Sequence, residues 1–284
     1  MAIHIPGDTT ADPRLYTFYS QALAALRESN VPFLIGGAYA LQHYTGATCP
    51  TKDLDLFVFP RDRHRALGVL QALGYHTVLT SPHWLGKAFC GEDHLDVIFS
   101  SGNGIAEVDN LWFTHAVDGY LYGIPVRLCP PEEMLWSKAY IMERERYDGA
   151  DMVHLLRACG EYLDWSRVLR RFGPHWRVLL SHLILFGFIY PDEGDRIPYW
   201  VMQELIHRLQ HDTHSPSGSE RLCQGTLLSR AQYLVDIDTW GYHDARRPPT
   251  GRMSAEDIAR WTAAIHEKGA THDQEGERAP GSHR

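Results

Sequence analysis

The sequence predicts an α/β (α+β) protein, a mixed sheet with flanking helices followed by an all-α second half. Three observations carry that expectation. Short apolar runs bounded by glycine, proline and charged residues recur through the first 130 residues, as buried strands require. Amphipathic stretches with helical spacing alternate with them. Beyond Pro130-Pro131 the apolar spacing is helical almost throughout.

Leu15 to Ser29 opens the ordered chain, with Leu15, Phe18, Tyr19, Ala22, Leu23 and Leu26 at helical spacing. Val31 to Ile35 is a short apolar run that suits a buried strand. It breaks at Gly36-Gly37 and continues as a short helix, Ala38 to Gln42. After a turn around Thr45-Gly46 and Pro50 comes a second strand, Asp53 to Phe59. Side chains alternate along a strand, so Thr51, Asp53 and Asp55 face one way and Leu54 and Leu56 the other.

Asp62 to Leu73 reads as a helix closed by Gly74, and Tyr75 to Leu79 as a strand. Lys87 to Cys90 and His94 to Phe99 read as paired strands joined by Gly91-Glu92-Asp93. Asn110 to Ala116 suits a short helix, and Tyr120 to Leu128 a hairpin-like return. Pro130-Pro131-Glu132-Glu133 then starts a helix, with proline fixing the first turn and acids suiting its positive end. Helices are expected over Glu132 to Glu143, Asp148 to Cys159, Trp165 to Phe172, Trp176 to Phe188, Tyr199 to Gln210 and Leu227 to Trp240, with a capped start at Ser254. The expected division is therefore a sheet domain over 1–130, a helical domain over 131–267 and a polar, disordered tail over 268–284.

Composition limits the function. The chain has 284 residues, 44% apolar and 22% charged, as in an ordinary globular protein. A formal charge of −8 argues against a surface that coats nucleic acid. Met1 to Pro6 lacks the features of a secretory signal, and no apolar run reaches bilayer-spanning length; Val178 to Tyr190 is interrupted by Ser181 and His182. Five cysteines without a Cys-x-x-Cys pair point to a reducing cytoplasm. His207, His211 and His214 have a spacing that could hold zinc, but no fourth ligand or Cys pair accompanies them and Pro216-Ser217-Gly218 ends the segment.

Chemistry concentrates in residues 31–59. A Gly-Gly turn at a helix start lets backbone N–H groups approach a phosphate, aided by the helix dipole. Asp53 and Asp55 side by side repel each other unless a hard divalent cation sits between them. Asp96, inside Leu-Asp-Val-Ile-Phe, is costly unless paired or metal-bound. Asp93, in a Gly-Glu-Asp setting, reads as a plain turn residue. Taken singly, Gly-Gly is an ordinary turn and Asp-x-Asp an ordinary strand end; their order is the informative feature.

The pattern Gly36-Gly37-x-Ala, a short gap, then Thr51-Lys52-Asp53-Leu54-Asp55-Leu56 resembles the signature of the DNA-polymerase-beta-type nucleotidyltransferase superfamily. The resemblance is nearest to small bacterial members of the abortive-infection toxin and antibiotic nucleotidyltransferase types, and covers roughly residues 30 to 160. It departs at Cys49, where such enzymes often carry an arginine four residues before the first aspartate. The implied reaction moves a nucleoside monophosphate from an NTP to a hydroxyl acceptor, with loss of pyrophosphate. Asp53, Asp55 and Asp96 would bind two Mg²⁺ (Mn²⁺ as a substitute), about 3.5–4 Å apart. Asp96 would also act as general base. Gly36, Gly37, Thr51 and Lys52 would meet the nucleotide. Lys138, followed by Arg146, Asp148 and Asp151, is similar to a second family motif that neutralises triphosphate charge. The acceptor is a small molecule, a protein or a tRNA end. Two rivals remain: a catalytically degenerate nucleotide-binding protein, and one partner of a toxin–antitoxin-type pair.

Overall fold

The computed structural model describes residues 3–4, 13–47, 51, 53–212 and 221–263. Its first half is an eight-stranded mixed sheet, order β1-β7-β8-β2-β3-β6-β5-β4. The elements are β1 (Ile3–His4), α1 (Pro13–Glu28), β2 (Leu34–Ile35), α2 (Gly37–Thr45), β3 (Asp53–Phe57), α3 (Arg63–Ala72), β4 (His76–Ser81), β5 (Leu85–Cys90), β6 (Asp93–Ile98), α4 (Asn110–Thr114), β7 (Val117–Leu121) and β8 (Ile124–Leu128). At the centre, β3 runs antiparallel to β2 and parallel to β6, while β5 and β6 form an antiparallel hairpin.

Alternation in the central strands separates the two faces. Leu54, Leu56, Leu95 and Val97 are fully buried in a core they share with Phe18, Leu23 and Leu26 of α1 and Ala66 and Leu70 of α3. Burying side chains of that size contributes about 1.5–3 kcal/mol each, so the register of β3 and β6 is strongly held. A one-residue slip would drive the leucines out and the aspartates in.

The second half comprises α5 (Pro131–Lys138), α6 (Gly149–Cys159), α7 (Trp165–Phe172), α8 (Trp176–Ile189) and α9 (Tyr199–Asp212). A small closing unit follows, with β9 (Leu222–Cys223), α10 (Leu234–Asp238) and β10 (His243–Asp244). The second core runs without a break across position 130: Leu34, Leu41 and Trp112 from the sheet half join Leu135, Met152, Leu156, Val168 and Phe172. An ion network crosses the same boundary. Arg171 makes a fork onto Asp109 at 2.6 and 2.7 Å and reaches Glu133 at 3.1 Å; Arg167 pairs with Glu132 and lies 3.5 Å from Glu133.

Several expectations are corrected. The first long helix of the second half ends at Lys138, and 139–148 is a turn closed by a Met142–Tyr147 bridge, so Asp148 precedes α6 rather than lying within a helix. The turn of the β5–β6 hairpin is Gly91-Glu92 alone, because Asp93 pairs with Cys90. Leu227 to Trp240 forms mostly turns around the five-residue α10, with the Ser229 hydroxyl accepting from the Gln232 N–H at 3.2 Å in the first of them. Trp165–Ile189 is long and apolar enough, by length and composition only, to cross a membrane, against the expectation that no such segment exists. It is two helices parted at Gly173–His175, and Leu179, Leu183 and Phe186 of the second lie in the core. Cys49, Lys52, His214 and the tail 268–284 lie outside the described residues.

Candidate active site

Strand register assembles the site. On the sheet face opposite the leucine core, Asp55 stands opposite Asp96, and Asp96 stands opposite Lys87. The adjoining row holds Asp53, His94 and Phe89. On the other side of Asp55, the Gly36 N–H donates to the Asp55 carbonyl at 3.0 Å, which carries the row to the start of α2. Paired residues on neighbouring strands project to the same side, so all three predicted carboxylates meet on one face.

The carboxylates are unequal. Burial and the nearby Asp96 charge push Asp55 up to about 6, against the opposing pull of Lys138 and Arg146. Asp96 is anchored instead: Lys87 Nζ donates to its Oδ1 at 2.5 Å. His94 Nε2 lies 3.2 Å from Asp53 Oδ1 and 3.6 Å from Asp96 Oδ1, so one ring bridges the first and third carboxylates. The Tyr19 hydroxyl in turn donates to the His94 carbonyl at 3.1 Å.

The glycines answer two separate needs. Gly37 has φ +56°, and a Cβ there would sit 1.7 Å from Asp55 Oδ2. A Cβ on Gly36 would sit 2.3 Å from the Phe57 ring. The pair therefore lets the α2 start lie directly against the Asp55 carboxylate, and no side chain caps that helix start. Such an uncapped N-terminus offers donors and partial positive charge to an anion.

Lys138, at the end of α5, donates to Asp148 Oδ2 at 2.9 Å and Asp151 Oδ2 at 2.6 Å. Arg146 makes a fork onto Asp148 at 2.8 and 2.9 Å. Burial opposes the charge of Lys138, but the two aspartates outweigh it and raise its pKa. For Asp148, likewise, burial is overcome by Arg146 and Lys138, which hold the carboxyl below its ordinary value. Both cations act electrostatically on Asp55, so this cluster borders the same site. Thr51 turns inward on the strand start: its Oγ1 donates to the Asp53 carbonyl at 3.1 Å and accepts from the Asp53 N–H at 3.2 Å.

Lys87 and His94 are site residues that the reading of motifs missed. Hairpin arithmetic could have found them. Counting outward from a Gly91-Glu92 turn pairs Cys90 with Asp93, Phe89 with His94 and Lys87 with Asp96.

Among the described residues, no group of three or more His, Cys, Asp or Glu side chains forms a cage for a metal ion. The rings of His207 and His211 lie 4.2 Å apart between centres, tilted at 58°, and belong to no such group. The carboxylate face nonetheless fits Mg²⁺. Its donors are hard oxygens, and Asp55, raised by burial first and then by the Asp96 charge, is a carboxylate whose ionised form a cation would favour. Mg²⁺ is ordinarily held by one or two carboxylates and completed by water and phosphate oxygens, so a closed protein cage is not required.

No family model matches the sequence, and no curated protein matches it. Solved structures are similar to it over part of the chain. The antibiotic-resistance factor ANT(2'')-Ia is 21% identical, covering 61% of this chain and 98% of its own, with a TM-score of 0.45. The lincosamide antibiotic adenylyltransferase LnuA is 15% identical, covering 49% and 94%, with a TM-score of 0.37. An antigenic nucleotidyltransferase-like protein from Paracoccidioides brasiliensis is 16% identical, covering 59% and 91%, with a TM-score of 0.36.

Proposed function

We propose that this protein is a nucleotidyltransferase that moves a nucleoside monophosphate from an NTP to a hydroxyl acceptor and releases pyrophosphate. The observation that carries this reading is the cross-strand row of Asp55 and Asp96, with Asp53 beside it and the open start of α2 against Asp55. Buried carboxylates this close together repel one another in an empty fold. The arrangement becomes favourable when cation and phosphate arrive together.

Asp53 and Asp55 would hold Mg²⁺, with Asp96 on the nucleophile side. When bound, the metal supplies charge stabilisation and orientation at the reacting phosphate. The chain's own groups do the rest. The backbone at Gly36 and Gly37 receives phosphate oxygens. Lys138 and Arg146, exchanging part of their pairing with Asp148 and Asp151, neutralise triphosphate charge. Asp96 takes the proton of the acceptor hydroxyl. The oxygen bonds to the α-phosphorus as the bond to the bridging oxygen breaks, and pyrophosphate leaves with that electron pair. Positioning supplies most of the rate in such transfers.

The net charge of −8 favours a small molecule or a protein as acceptor over long RNA. The four cysteines among the described residues are free thiols, which supports a cytoplasmic protein. The deciding experiment is calorimetric binding of ATP, GTP, CTP and UTP with Mg²⁺, on wild type and on an Asp53→Ala/Asp55→Ala double variant. Mg²⁺-dependent binding that the double variant loses is expected. Failure of the wild type to bind any triphosphate would leave a fold without its chemistry.

A further inference from the structure

The geometry assigns Lys87 as the positioning residue for Asp96, on the reading that Asp96 accepts the acceptor's proton. Lys87 lies on β5, outside the Gly-Gly and Asp-x-Asp motifs, and reaches the site only through hairpin register. Six consecutive register pairs join β5 to β6, from Leu85 with Ile98 to Cys90 with Asp93, so the Lys87 backbone is fixed relative to Asp96. Its side chain is about four-fifths shielded, at 21% exposure, and Asp96 is still less exposed at 15%. This is not the geometry of two long side chains meeting in solvent, where an ion pair contributes little.

The contact selects one oxygen. Lys87 Nζ takes Asp96 Oδ1 at 2.5 Å and His94 Nε2 approaches the same atom at 3.6 Å. Asp96 Oδ2 has no hydrogen bond among the described residues. A carboxylate anchored through one oxygen presents the other in a fixed direction. Lys87 therefore holds Oδ2 ready for the acceptor's hydroxyl proton. That proton moves to Oδ2 as the acceptor oxygen bonds to the α-phosphorus, and the electron pair of the breaking P–O bond leaves with pyrophosphate. Lys87 itself neither gains nor loses a proton. Its second effect is electrostatic: one fixed positive charge at the end of the row offsets part of the repulsion among Asp53, Asp55 and Asp96 before any ligand binds.

The test compares wild type with Lys87→Met and Lys87→Arg. Pyrophosphate release from Mg²⁺–ATP is followed with glycerol as a surrogate hydroxyl acceptor, and Mn²⁺ binding is titrated without nucleotide. Methionine keeps the length of the stem and removes the charge. The expected result for Lys87→Met is a fall in kcat of tenfold or more with KM for ATP within threefold, and partial recovery in Lys87→Arg. Its Mn²⁺ affinity should rise severalfold, because the carboxylates have lost a competing cation. A kcat within twofold of wild type would overturn the assignment. So would an unchanged Mn²⁺ affinity, or equal losses in Lys87→Met and Lys87→Arg that track their melting temperatures, which would mark a purely structural contact. If wild type releases no pyrophosphate, the transferase reading fails, while the Mn²⁺ titration still decides whether Lys87 balances the carboxylates.

Discussion

Asp55 and Asp96 stand opposite each other on parallel strands, in register, on the face that the leucine core leaves free. Neither residue can move away, because the alternate positions Leu54, Leu56, Leu95 and Val97 are locked in the core beneath them. Repulsion between the two is therefore built into the sheet. It can be relieved by a proton, a cation or a local positive side chain.

The first prediction uses the proton. Asp55 ionises at about 6 in the fold, against an ordinary aspartate value near 4 in the unfolded chain. Between those values the folded state binds more protons, so this group's contribution to stability falls as pH rises through 6 and stays lost above it. Metal-free Asp55→Asn should match wild type near pH 4 and exceed it by on the order of 2–3 kcal/mol at pH 7. Urea titrations across that range test this, and parallel curves for the two proteins would refute it. Adding Mg²⁺ at pH 7 should stabilise wild type and leave Asp55→Asn unmoved.

Gly37→Ala should fail on two counts. Its φ of +56° is strained for any side chain, and the new Cβ would collide with Asp55 Oδ2. A loss of about 1–3 kcal/mol is expected from the backbone alone, with triphosphate binding abolished. Thermal melts and calorimetry on the same sample check both parts. An Ala variant that binds ATP normally would show that the α2 start is not the phosphate site.

Lys138 holds two carboxylates at once, at 2.9 and 2.6 Å. Lys138→Ala leaves Asp148 and Asp151 without that shared cation, so both stability and nucleotide affinity should fall. Breaking a largely buried pair from one side costs about 3–5 kcal/mol. Lys138→Ala/Asp148→Asn should recover stability without recovering affinity. A double variant that regains both would reduce Lys138 to a structural tie.

The ion network around Glu133 predicts how the two halves unfold. Glu133 is fully buried between Arg167 and Arg171, and Arg171 also grips Asp109 on the sheet side. Arg171→Ala strands buried acid and should cost about 3–5 kcal/mol. Calorimetric scans should show one transition in wild type, because a single core spans position 130. A broadened or split transition is expected in Arg171→Ala. Two separate transitions in wild type would contradict the shared core.

How much of this was legible beforehand depends on distance along the chain. The leucine–aspartate alternation of β3, the Gly-Gly turn and the carboxylate inside Leu-Asp-Val-Ile-Phe are local patterns, and the structure brings all of them onto one face. The resemblance to a second family motif singles out Lys138, Asp148 and Asp151, and they do meet, through a turn at 139–148. Local periodicity could not distinguish that turn, because its charged residues fit a helix surface equally well.

The sequence by itself determined the strand and helix periods, the chemical type of the donors and the glycines that a tight approach demands, since these follow from side-chain volume, charge and alternation within a few residues. Only the tertiary structure decided which donors share a row. Lys87 reaches Asp96, His94 bridges Asp53 and Asp96, and the Lys138 cluster acts on Asp55, because strand order and register set distances between residues that no local pattern relates. A register shifted by one residue would keep every motif intact and scatter the site, and the buried leucines are what forbid it.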